Sequence, residues 1–215
     1  MNRKQIQLVP GAIAPTSRSL WFAAFEKLHE AEMSIDQMRS ATNRIEYEAG
    51  WTRFVDSLEE FWNRFFDEGK TKFSRFQPWA GEIDAQRKSD ELLIYLYQAR
   101  HQSQHGRISM RWTEPKTLIA PNFNGHIRGF KLFPDGSYEI DATPLRQSLP
   151  DATVAYDPGC AELPIIENKK HRQTFSPPNT FNRELLLEKS PVAVAQVALD
   201  FYRDVLTRAN AKFST

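Results

Sequence analysis

The chain holds a single cysteine, Cys160, among 215 residues. A lone thiol closes no internal disulfide, and it has no partner residues at metal-ligand spacing, so neither a disulfide framework nor a structural metal site is expected. One cysteine fits a reducing compartment, and Cys160, beside Gly159, reads as an ordinary loop thiol. No run of about 18 apolar residues occurs, so no membrane-spanning helix is expected. The N-terminus, MNRKQIQLVPGAIAP, is basic but is not followed by the apolar run of about 7–15 residues that a secretory signal needs. A cytoplasmic protein with no membrane partner is the expectation. The net charge is only +1, which removes any bulk electrostatic case for nucleic acid, so such a surface must be local. Internal repeats and low-complexity tracts are absent as well.

Aromatic residues are plentiful. Fifteen Phe, five Trp and six Tyr predict a core built from rings, and a chain of this length can bury one without staples. After an extended arm over residues 1–16, Thr16 or Ser17 is placed to cap a helix. Trp21, Ala24, Phe25, Leu28, Ala31, Ile35 and Met38 then recur at three- and four-residue steps, one face of a helix running to about Ala41. Asn43 and Glu46 have the spacing of a capping box. Tyr47, Trp51, Phe54, Leu58, Phe61 and Phe65 follow in a near-heptad stripe, either core or a dimer seam, with the helix end expected near Gly69. The two helices are expected to pack antiparallel through a tight turn near residue 42. Residues 70–83 read as an aromatic connector. A third helix is expected to start between Asp84 and Ser89 and to carry Leu92, Leu93, Leu96 and Ala99 inward until Gly106.

Beyond residue 106 the pattern changes. IRGFKLF (127–133) and SYEID (137–141) flank Pro134, Asp135 and Gly136, a hairpin signal. Residues 107–112, 116–120 and 152–156 are further strand candidates, and 157–182 read as irregular. Ser190 and Pro191 open a last helix whose stripe is Val194, Val197, Ala198, Phe201, Val205 and Leu206. The expected fold class is α+β. An antiparallel bundle of about four helices is formed by residues 17–106 and a returning helix, 190–211, with a β-rich insertion over 107–182 before that last helix.

The stretch with the clearest chemical content is Arg100-His101-Gln102-Ser103-Gln104-His105-Gly106. Histidine titrates near neutrality and serves as acid or base, and arginine offers a planar, permanently charged donor fork for phosphate. RNA cleavage can use the ribose 2′-OH as internal nucleophile, with a base to take its proton, an acid for the leaving oxygen, and no metal. Residues five apart on a straight helix differ by about 140° in azimuth and about 7.5 Å in rise. Arg100 and His105 can therefore converge through the length of the arginine, through a bend or end of the helix, or by pairing two chains.

An arginine, a polar residue, a few more positions and then a histidine, at the end of an apolar helix, resembles the motif of the HEPN family. That resemblance implies a small helical bundle and, in many members, a metal-independent ribonuclease of a toxin–antitoxin or phage-defence system. It implies two copies lining one cleft, hence a homodimer, with RNA as substrate and an antitoxin protein as a possible partner. By the same resemblance His105 is the acid or base, Arg100 holds the phosphate, and His101 orients one of them or assists proton transfer, with no metal or other cofactor. The alternative function is a non-catalytic HEPN-like dimerisation or protein-interaction module.

A plainer reading of the same residues is a solvated helix C-terminus, with cations at the negative end of the helix dipole and Gly106 as the residue after the cap. Lys169, Lys170 and Arg172, with His171 among them, form a short basic run that is either an RNA phosphate contact or a solvated loop. Asn122 to His126 reads as a turn with a structural His126, and His29 as an exposed helical residue.

Overall fold

Asn43 starts the second helix as its N-cap. Its Oδ1 accepts from Glu46 N at 3.0 Å, while Glu46 Oε2 accepts from Thr42 N at 3.1 Å and Thr42 Oγ at 3.2 Å. This is a capping box whose return arm reaches one residue further back than usual. Around it stand α1 (Phe22–Ser40) and α2 (Arg44–Lys72), followed by α3 (Phe76–Ser89), α4 (Glu91–His105) and, at the far end of the chain, α5 (Pro191–Phe213). The structure, a computed structural model, describes residues 20–105, 109–113, 116–119, 125–132, 138–144, 154–157, 160–168 and 171–213. The expected arm and the proposed caps Thr16 and Ser17 lie outside them, and Trp21 occupies the N-cap position of α1.

The antiparallel course of α1 and α2 is shown by their cross-links. Lys27 reaches Glu60 at 2.8 Å, and Arg53 donates to Gln37 at 3.0 Å. The ring stripe of α2 is core within a single chain: Trp51, Phe54, Phe61 and Phe65 are all fully buried, each ring contributing roughly 1.5–3 kcal/mol. Trp21 lies 4.7 Å from Phe65, Phe65 5.2 Å from Phe76, and Phe73 5.0 Å from Phe213 between ring centroids. These contacts draw α1, α2, α3 and α5 together. The last helix, α5, packs on α2, with Tyr202 edge-on to Phe61, and Ser190 Oγ accepts from Ala193 N at 3.2 Å as its cap.

Two expectations fail in this region. The aromatic connector expected over residues 70–83 is helical from Phe76 onward, where α3 begins, because Pro78 falls in the first turn, where a missing N–H removes no intrahelical bond. The helix expected third is therefore the fourth, separated from α3 only by Asp90. Nor does α2 stop at Gly69. It runs on to Lys72, and Gly69 instead makes room for a ring, since a Cβ there would lie 2.3 Å from the buried Phe76.

Between α4 and α5 run short antiparallel strand pairs. The strands are β1 (Arg111–Thr113), β2 (Lys116–Ile119), β3 (Gly125–Leu132), β4 (Tyr138–Pro144), β5 (Val154–Asp157), β6 (Cys160–Glu162), β7 (Ile166–Asn168), β8 (Gln173–Phe175), β9 (Thr180–Phe181) and β10 (Glu184–Leu185). The expected hairpin is β3–β4, with Phe130 opposite Ile140, and its Pro134–Gly136 turn lies outside the described residues. His126 falls in β3 rather than in a turn, and Cys160 opens β6 rather than lying in a loop. Residues 157–182, expected to be irregular, hold the four short strands β6 to β9. Runs of two or three residues are too short to show alternation.

The described residues form two units. One comprises the chain to Arg111 and from Glu162 onward, and the other is Trp112–Ala161. All five helices and β7–β10 belong to the first. There, Asn182 and Arg183, both at positive φ (51° and 68°), form the two-residue turn joining β9 to β10.

The start of α4 is tied to that hairpin. Asp90 Oδ1 caps Leu92 N and Leu93 N, and its Oδ2 accepts from Asn182 N. Glu91 accepts four hydrogen bonds, from the N and Nδ2 of Asn179 and the N and Oγ of Thr180. Burial pushes the Glu91 carboxyl up, but these four bonds together bring it below its ordinary value of 4.5. A depressed carboxyl stabilises the fold above its unfolded value and loses that contribution as pH falls through the folded one. Glu91→Ala is expected to destabilise by roughly 1.5–3 kcal/mol at neutral pH. In thermal melts the difference from wild type should shrink below about pH 4.5.

Candidate functional site

The helix that carries the Arg–His stretch is fixed at both flanks. Leu92, Leu93, Tyr95, Leu96 and Ala99 are buried, and Tyr95 donates its hydroxyl to Pro164 O at 2.8 Å. Further along, Gln98 on one side accepts from Asn168 Nδ2 of β7 at 3.2 Å, while Arg100 on the other side faces Asp56 of α2. At about 100° per residue, the arc between these flanks holds Tyr97, His101 and Gln104. Arg100 lies at one border of the arc and His105 at the other. The α4 helix continues through His105, and positions five apart on a regular helix stand roughly 140° apart. The side chain of His105, like Gly106, lies outside the described residues.

Arg100 is held loosely. Its Nε stands 3.6 Å from Asp56 Oδ1, beyond hydrogen-bond range, and both atoms are buried without a hydrogen-bond partner. Burial pushes the Asp56 carboxyl above the ordinary carboxylate range. The Arg100 guanidinium pulls it down and Glu60 pushes it up again, so the upward push prevails. Glu60 is lowered chiefly by its hydrogen bond to Lys27. The backbone of Arg100 is engaged as well, its carbonyl accepting from Ser103 Oγ at 2.6 Å. His101 meets Tyr97 one turn earlier, edge to face at 4.4 Å between centroids.

The basic run is approached from β7. Asn168, which bonds Gln98, also accepts His171 N on its backbone and side-chain oxygens, both at 3.2 Å. Arg172 is exposed and has a positive φ of 53°, as the turn from β7 to β8 requires. Lys169 and Lys170 lie outside the described residues. His29 is exposed, as expected, 3.7 Å from Glu32. It lines a groove of about 820 Å³ between α1 and α2 whose carboxylates are Glu30, Asp36, Asp56 and Glu60; Glu30, Asp36 and Glu60 are paired with Lys27 or Arg39, and Asp56 faces Arg100. Among the described residues no three His, Cys, Asp or Glu side chains gather as a metal site, and no helix is long and apolar enough to cross a membrane.

Two residues of this region are not evident from the motif itself. Asp56 lies 44 positions before Arg100, and nothing local links them. Tyr97 has a signal in the sequence, since it precedes His101 by one helical turn on the polar side of α4. Comparison of the chain with protein-family models, curated proteins and solved structures finds no match.

Proposed function

We propose that this protein is a metal-independent endoribonuclease, a HEPN-like helical bundle acting as a homodimer, with the end of α4 as its working surface. The observation that carries the reading is the exposed arc of α4 bordered by Arg100 and His105. On it a guanidinium without a hydrogen bond at Nε and two imidazole-bearing residues share one helix end. The O2′–P bond forms as the P–O5′ bond breaks. One imidazole takes the 2′-OH proton, a second protonates O5′, and Arg100 binds the charge that builds on the phosphorane. The products are a 2′,3′-cyclic phosphate and a 5′-hydroxyl. Because the two borders of the arc diverge, pairing two copies supplies the second imidazole, or His101 does. Lys169, Lys170 and Arg172 contribute phosphate contacts. Such an activity suits a toxin or phage-defence component restrained by an antitoxin protein. Digestion of several RNAs in EDTA tests the reading: wild type cleaves, whereas Arg100→Ala and His105→Ala do not.

A second reading follows from Asp56. A guanidinium already facing a carboxylate also serves as a tie between α2 and α4, in a non-catalytic interaction module. In that case wild type leaves every RNA intact, and Arg100→Ala acts on stability alone.

A further inference from the structure

Among the described Phe, Tyr and Trp side chains, Tyr97 is exposed where the others are not. Among the described residues, six large hydrophobic side chains are exposed, and Tyr97, at 43 %, is the one aromatic among them. The neighbouring Tyr95, by contrast, is buried and hydrogen-bonded. The ring contact of Tyr97 is with His101, which meets it at 77°. On the helix, Arg100 and His101 stand three and four residues beyond Tyr97, the spacing that brings side chains to about 5–6 Å of one another. A flat ring in water, one turn from a phosphate-binding guanidinium and an acid–base imidazole, has the parts needed to hold a nucleotide by its base as well as by its phosphate.

We propose that Tyr97 is the platform on which a nucleobase of a single-stranded RNA stacks, an inference that rests on the ribonuclease reading of the same helix end. Stacking needs a free base face, which a duplex hides and a single strand offers. It discriminates little among bases, since each has a π face. The substrate class is therefore unpaired RNA with weak sequence preference. Tyr97 binds the substrate and moves no proton.

The test uses the full chain carrying His105→Ala, so that RNA is not consumed, and a fluorescent oligouridylate with its abasic counterpart of equal length. Tyr97→Ala in this background is expected to weaken binding of the base-bearing oligomer roughly 10-fold, with Tyr97→Phe and Tyr97→Trp close to the parent. The abasic oligomer should bind equally to parent and Tyr97→Ala. Equal binding of the oligouridylate by parent and Tyr97→Ala overturns the stacking role, as does an equal loss on the abasic strand. RNA cleavage by the unmodified chain that His105→Ala abolishes then shows that the ribonuclease reading survives. If the parent binds neither oligomer and the unmodified chain cleaves no RNA, both fall together.

Discussion

His105→Ala is expected to lower RNA cleavage by about 10²–10⁴-fold, the range that a positioned acid or base supplies. Arg100→Ala should cost about 10²–10³-fold, as loss of one fixed donor to a developing oxyanion does. Arg100→Lys should recover little, because a point charge does not reproduce the donor fork. Both Ala variants should melt close to wild type. His105 is the last residue of α4, and Arg100 forms no hydrogen bond through Nε. The ion pair with Asp56 adds a sharper comparison. Asp56→Asn frees the guanidinium from its facing carboxylate, so cleavage should be kept or increased. If Arg100 is instead a helix tie, Arg100→Ala and Asp56→Asn lower the melting temperature by similar amounts. Their double variant then shows no further loss, the mark of a shared interaction.

Arg87→Ala is expected to damage the fold more than loss of any exposed ion pair would. Arg87 of α3 bonds Glu59 of α2 at 2.6 Å and the Tyr202 hydroxyl of α5 at 2.9 Å, and its guanidinium lies 4.4 Å from the Trp62 ring. The side chains of Arg87 and Glu59 are only 11 % and 15 % exposed. Truncation strands a largely buried carboxylate and a buried hydroxyl, which together should cost about 3–5 kcal/mol. In a chain of this size that lowers the melting temperature by roughly 10 °C. Pairing Arg87→Met with Glu59→Leu should recover most of the loss, because no charge is then left alone in the interior. Thermal melts of the single and double variants read both effects directly.

Helices that bury one face are legible in the amino-acid pattern. The stripe from Tyr47 to Phe65 forms the buried face of α2, and Asn43 with Glu46 marks its start because capping is local chemistry. Features set by distant packing are not legible there. Gly69 looks like a helix terminator, but it is a gap for the Phe76 ring, a role visible only once α3 lies against α2. Residues 70–83 look like a connector because Phe73, Phe76, Pro78 and Trp79 crowd them, although a helix runs on from Phe76 and its first turn tolerates proline. The residues of the candidate site divide in the same way. Arg100, His101 and His105 are neighbours in sequence and share a helix end. Asp56 meets Arg100 only because α2 and α4 pack together, and the exposure of Tyr97 depends on where α2 and β7 leave α4 uncovered.

Ribose chemistry at the end of α4 is tested most directly by giving the full chain a single-stranded RNA and the DNA of the same sequence, both in EDTA, and identifying the product ends. Cleavage of the RNA alone, leaving 2′,3′-cyclic phosphate and 5′-hydroxyl ends and lost in His105→Ala, is the expected result. RNA left intact by wild type, or DNA cut alongside RNA, contradicts 2′-OH attack at this site.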